Sequence, residues 1–239
     1  MSNEKAIVIS QPWGGLGDNL QYSTLPELYA QLGFDVYISS SNAYRNPEIY
    51  DLVWKHNPYV KGVSDLPANA GACMFGGEAP TANYMTNIEL GHGLTHGYRK
   101  YPVVYYKPRL VPSLADVLLY DATSISSTPT DTEVTTSFQS VIAKHPTLSV
   151  KRVEFAMIKN REIPSLNHEA HIIHSIYDLC DAMYSCKVFL TVFSGASVLA
   201  SAVKQDATSP VIYCFHTPDR YPPDYMFKNI KYSPFLKKP

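Results

Sequence analysis

Two glycine-containing turns in this 239-residue chain carry the residue types from which a reaction could be built. In Gly14-Gly15-Leu16-Gly17-Asp18-Asn19-Leu20 the glycines allow backbone to approach a ligand closely, and the helix that follows would turn unpaired N–H groups toward it. This is not the dinucleotide fingerprint G-x-G-x-x-G, because Asp18 and Asn19 precede any third glycine, and no G-K-[ST] follows. A carboxylate here would repel a pyrophosphate. Asp18 suits an acceptor hydroxyl instead, whose proton it would take as the oxygen attacks an electrophilic carbon. Capping the helix start is the other role open to Asp18. Asn19 is assigned to the same acceptor side, and Gly15 and Gly17 to the close backbone approach of a donor.

The second turn, Val192-Phe193-Ser194-Gly195-Ala196-Ser197, has the opposite charge logic. Ser194 can cap a helix, Gly195 removes side-chain bulk, and the amides of Gly195, Ala196 and Ser197 can converge on a phosphate. A plain N-cap explains the same residues equally well. Thr123, Ser124 and Ser126, in the polar turn that follows an apolar run, would add donors to that anion.

Other groups are less specific. His92 and His96 have the i, i+4 spacing of a zinc-binding helix, but the three glycines of Gly91-His92-Gly93-Leu94-Thr95-His96-Gly97 oppose a helix. They read better as part of an acceptor-side loop or as ordinary surface histidines. Arg45 and Arg99 are candidates for an anionic acceptor or phosphate, or for surface solvation. No D-x-D triplet is present, and no metal or cofactor is expected.

The elements that must position these residues alternate between short apolar runs and helix-length amphipathic stretches, the pattern of an α/β fold with parallel strands. The pattern occurs twice. The first series predicts strands at 6–10, 34–39, 59–63 and 72–75, and helices at 17–32 and 47–57. The second predicts strands at 116–120, 149–155, 171–173, 188–192 and 211–215, and helices at 131–144, 176–186 and 195–203. This gives two Rossmann-like domains, 1–110 and 111–239, with the last 20 or so residues expected to pack back on the first.

With 45% apolar and 17% charged residues the chain is suited to a folded core, and its formal charge of -1 gives no general attraction to nucleic acid. A DNA acceptor stays open but is not favoured. Met1 to Lys5 lacks signal-peptide character and no apolar run approaches a membrane span, so a cytoplasmic protein is expected. The four cysteines form no C-x-x-C pair and are read as reduced and mostly buried.

The segment from Gly15 to Pro26, GLGDNLQYSTLP, resembles the N-terminal G-x-G-D-x-[LI]-x-x-[TS]-P motif of the heptosyltransferase-like enzymes, glycosyltransferase family 9. The segment Ile176 to Val203 resembles their helix, strand and D-S-G-x-x-H-x-A block. The resemblance implies a GT-B fold, two domains facing across a cleft, with a nucleotide-sugar donor held mainly by the second half. It also implies metal-independent, inverting transfer to a hydroxyl acceptor that the sequence does not identify. Asp18 matches the family's base, and Ser194 and Gly195 its diphosphate-binding helix start. Phe193 stands where the family has Asp, and Leu199 or a neighbour where it has His, so the donor need not be ADP-heptose. The chain is also shorter than typical members. A nucleotide-sugar epimerase on the same scaffold and a non-catalytic nucleotide-sugar-binding protein are the competing readings.

Overall fold

Valine- and isoleucine-rich runs, unable to leave their backbone groups unpaired in a core, pair as parallel strands throughout. The computed structural model describes residues 5–71, 84–94, 99–123, 129–158, 160–205, 211–217 and 227–236. It divides into two units, Met1–Lys107 and Pro108–Pro239.

In the first unit β1 (Ala6–Ile9), β2 (Asp35–Ser39) and β3 (Val60–Ser64) form a parallel sheet in the order β1-β2-β3. Ala70 bridges Ile9 on the free side of β1, and the Ser10 N–H donates to the Ala70 carbonyl at 2.9 Å. The chain therefore runs outward from β1 through β3 and returns to its other side. That reversal makes the carboxyl end of β1 the switch point, where open α/β sheets hold ligands. The strand expected at 72–75 lies outside the described residues.

The helix expected at 17–32 is two helices, α1 (Leu16–Gln21) and α2 (Leu25–Gln31). Pro26 has no N–H to offer the Tyr22 carbonyl, which instead accepts from Leu25 at 3.1 Å and closes a turn. Gly33, at φ +81°, ends α2 in the left-handed conformation glycine favours. The Asn46 side chain caps α3 (Pro47–Tyr50) through the Glu48 amide at 2.9 Å, and a π-helical turn, Asp51–Lys55, continues it. α4 (Tyr84–Gly91) was not expected from sequence.

The second unit contains β4 (Val117–Asp121), α5 (Asp131–Ile142), β5 (Ser149–Phe155), β6 (Glu169–Ile173), α6 (Ile176–Ser185), β7 (Val188–Val192), α7 (Gly195–Val203), β8 (Val211–His216) and β9 (Ile230–Pro234). Its sheet order is β6-β5-β4-β7-β8-β9, all parallel, with the switch point between β4 and β7. Both of these strands are buried along their whole length, as central strands covered on two faces must be. Val134, Phe138 and Val141 of α5 pack on Leu118, Tyr120, Leu190 and Phe215.

The described part of the C-terminal tail, expected to pack back on the first domain, lies with β9 in the second unit. The described C-terminal residues pair with β8 and stack Phe235 on Phe215, 6.0 Å between ring centroids, within the second unit. Cys180, Cys186 and Cys214 are buried free thiols, and burial pushes the thiols of Cys180 and Cys214 up. Cys73 lies outside the described residues. No helix among the described residues is long and apolar enough to cross a membrane.

Candidate functional site

The turn after β1 is held open by a buried amide rather than by its own flexibility. Asn19 is fully buried, and its Oδ1 accepts from Gln11 Nε2 and Trp54 Nε1, both at 2.9 Å. Its Nδ2 donates to the Gly15 carbonyl at 2.8 Å and to Trp13 O at 3.4 Å. Gln11 in turn accepts from the Trp13 amide at 2.9 Å, and the Gln11 amide donates to Asn42 Oδ1 at 3.1 Å. The Asn19 side chain, assigned to the acceptor side from sequence, thus has its donors and acceptor engaged within the turn, which it braces from inside.

Asp18, the third residue of α1, points the other way. The N-cap position belongs to Gly15, which has no side chain to cap with, and the Asp18 carboxylate accepts a hydrogen bond from the Gly15 backbone. Part of the capping role is thus real. Burial raises the pKa of Asp18 above the ordinary carboxylate value, while the Arg45 guanidinium and the Gly15 N–H oppose that shift. Among the described residues the ion pairs do not include Asp18, so the carboxylate keeps acceptor capacity for a ligand. A β-carbon on Gly15 would run into this carboxylate, so glycine is needed here for the carboxylate to fold back on the turn. Gly17, partly buried in the first turn of α1, lies on the same short helix.

In the second unit Asp121 pairs with Thr191, so the segments leaving β4 and β7 emerge side by side at the switch point. Ser194 caps α7: its side chain accepts from the Ala196 amide at 3.2 Å, and the Ser197 amide donates to Ser194 O at 3.1 Å. The buried Ser197 hydroxyl donates to the same carbonyl at 2.7 Å. The polar groups of Ala196 and Ser197, assigned to donor binding from sequence, serve the cap here. Gly195, next in the chain, contributes the one amide of this turn that the cap leaves unused.

Thr123 stands at the mouth of β4, where its amide donates to Asp121 Oδ1 at 2.8 Å. Asp121 is buried, which pushes its carboxyl up to about 6 against the hydrogen bonds from Thr123. Thr123 also lines a cavity of about 370 Å³ with Tyr120, Arg152, Arg161, Leu166 and Asn167. The guanidiniums there are already engaged: Arg152 with Glu154 at 2.6 Å, and Arg161 with Asp131 at 2.6 Å. None of these cavity residues except Thr123 was singled out from sequence, because the segment 160–167 carries no motif. Ser124 and Ser126 lie outside the described residues.

Arg99 and His92, the remaining acceptor-side candidates among the described residues, both have partners within the first unit. Arg99 Nε is 2.6 Å from Glu27 Oε2, and Glu27, 5% exposed, also accepts from the Tyr59 hydroxyl at 3.2 Å. Arg99, a candidate for an anionic ligand from sequence, here neutralises a buried carboxylate. His92 follows α4 and accepts or donates at Nδ1 to the Tyr29 hydroxyl at 2.9 Å, packed edge-on against Tyr22 and Tyr29. Burial lowers its pKa, as expected of a structural imidazole. His96 lies outside the described residues. Among the described residues no group of three His, Cys, Asp or Glu is placed to hold a metal ion.

No family model and no curated protein matches the sequence. Solved structures do match. Residue for residue, 89% of this chain superposes on 58% of the iron-containing dodecameric glycosyltransferase TibC from enterotoxigenic E. coli H10407, with TM-score 0.61 and 17% identity. The fold is similar to that of this glycosyltransferase. A TM-score of 0.60 relates it to the family 9 glycosyl transferase of Veillonella parvula DSM 2008 over 98% of this chain and 87% of that one, at 9% identity. E. coli ADP-heptose lps heptosyltransferase II matches over 96% and 90%, at TM-score 0.60 and 10% identity. The chain thus covers most of the length of two of these proteins, but only 58% of the TibC chain.

Proposed function

We propose that this protein transfers a sugar from a nucleotide-activated donor to a hydroxyl acceptor, with the two units arranged as the facing halves of a GT-B enzyme. The observation that supports it most is the Asp18 carboxylate: it stands at the switch point of the first sheet, outside the ion pairs of the described residues, with acceptor capacity left over. In the reaction, the acceptor oxygen bonds to the anomeric carbon as the bond from that carbon to the diphosphate oxygen breaks. The electron pair leaves with the diphosphate and the hydroxyl proton passes to Asp18. Attack opposite the leaving group inverts the anomeric centre. Thr123 and the Gly195 amide are the donor-side groups, and the cavity beside Thr123 offers space for part of the nucleotide. The TibC structure with ADP-D-beta-D-heptose supports a nucleotide sugar as the ligand class.

The reading is tested by a thermal-shift screen against ADP-, UDP-, GDP-, CMP- and dTDP-sugars. A binding donor at one hundred times its Kd stabilises the native state by about 2.7 kcal/mol, an increase visible in Tm. No shift with any of them sinks the proposal. Transfer without a metal ion is part of it, so turnover should persist in EDTA.

The Gly15 requirement gives a second expectation. Gly15→Ala should displace the Asp18 carboxylate and lower turnover by roughly 10- to 100-fold, since misplacing a catalytic group by about 1 Å costs that much. Tm should hardly move. Unchanged turnover would mean that Asp18 need not sit against the turn.

A further inference from the structure

The backbone of the 43–45 segment lies directly on the glycine turn. The Arg45 N–H donates to the Gly14 carbonyl at 2.9 Å, and a β-carbon on Gly14 would come within 3.1 Å of the Arg45 nitrogen and 3.2 Å of Ala43 O. At Gly15 two charged groups converge on the space left by the missing side chain. The Asp18 carboxylate fills it, and Arg45 Nη1 lies 3.8 Å from the same point. Arg45 and Asp18 thus face one another across a single β-carbon position without forming a direct ion pair. We propose that Arg45 is the positioning residue of this site, a counter-charge held over Gly15 that keeps the Asp18 carboxylate ionised for proton abstraction.

The surrounding elements offer no alternative among the described residues. α1 carries no other charge, and the 11–14 turn presents Gln11 and Trp13. After β2, Tyr44 is neutral, its hydroxyl pushed up to about 12 by burial, and Asp51 and Lys55 pair with each other at 3.1 Å. α4 packs on α1, but its Glu89 accepts from Thr24 Oγ1 at 2.6 Å, and His92 beyond it is held toward neutrality by burial. Burial works against the ionised form of Asp18, and Arg45 is the charge that works for it.

The inference rests on Asp18 acting as the base, so its test has a readout independent of turnover. Carbon-13 carboxyl NMR of the full chain follows the Asp18 titration in wild type, Arg45→Gln and Arg45→Lys, without substrate. The Asp18 midpoint should move up in Arg45→Gln and return most of the way in Arg45→Lys. Release of nucleoside diphosphate from the donor that the thermal-shift screen selects, with water taking the sugar, should then begin to fall at a higher pH in Arg45→Gln than in wild type, about tenfold for each pH unit below the shifted Asp18 midpoint. An unchanged midpoint in Arg45→Gln overturns the role of Arg45. A shifted midpoint with no nucleotide release from any of the three proteins upholds Arg45 and overturns sugar transfer instead.

Discussion

Asp18→Asn should lower turnover by roughly 10²- to 10⁴-fold, the range lost when a positioned general base is removed, and leave donor affinity almost unchanged. Asparagine has nearly the size of aspartate and still accepts from the Gly15 amide through its carbonyl oxygen, so the turn keeps its shape. What it lacks is the charge that takes a proton. The proposed donor-side groups, Thr123 and the Gly195 amide, lie in the other unit of the chain and are untouched. Single-turnover kinetics beside a titration of donor binding separates the outcomes. A protein that only binds nucleotide sugar behaves alike with and without the substitution, and full turnover in Asp18→Asn removes Asp18 from the mechanism.

What could be foreseen from sequence depended on whether the signal was local. α5, α6 and α7 begin at 131, 176 and 195, where the sequence places them, each behind a polar N-cap, Thr130, Ser175 and Ser194, and ahead of periodic apolar residues. α4 gave no such signal. Its sequence, YMTNIELG, mixes poor helix formers with Asn87 and Glu89, which are buried, so apolar periodicity does not mark its inner face. β9 was missed for a related reason: only Ile230 of the strand is fully buried, and pairing with β8 rather than composition makes it a strand.

The same division runs through the candidate site. A glycine turn followed by Asp18 is legible as a motif, and so is a serine-capped helix start at Ser194. Which way Asn19 faces is not legible, because adjacent residues in a helix start differ by about 100° in direction and only the fold says which direction is inward. The approach of Arg45 to Asp18 depends on β2 pairing beside β1, which brings the 43–45 segment onto Gly14. Arg99 looked like a ligand-binding cation for want of its partner, since Glu27 is distant in sequence.

Asn19→Ala should destabilise the protein by about 3 kcal/mol or more while its neighbour's substitution, Asp18→Asn, leaves stability nearly unchanged. Removing the Asn19 amide strands two buried donors, Gln11 Nε2 and Trp54 Nε1, and takes a partner from the Gly15 carbonyl. Each buried polar group left without a partner costs about 1–3 kcal/mol, a large fraction of a typical total stability of about 5–15 kcal/mol. Trp54 is itself fully buried, so water reaches its indole N–H only by opening the core. Urea unfolding measures the difference directly. Had Asn19 faced an acceptor, its loss would lower turnover and spare the midpoint; the buried brace predicts the reverse order, with the midpoint falling first and turnover lost only because the turn that presents Asp18 is no longer held.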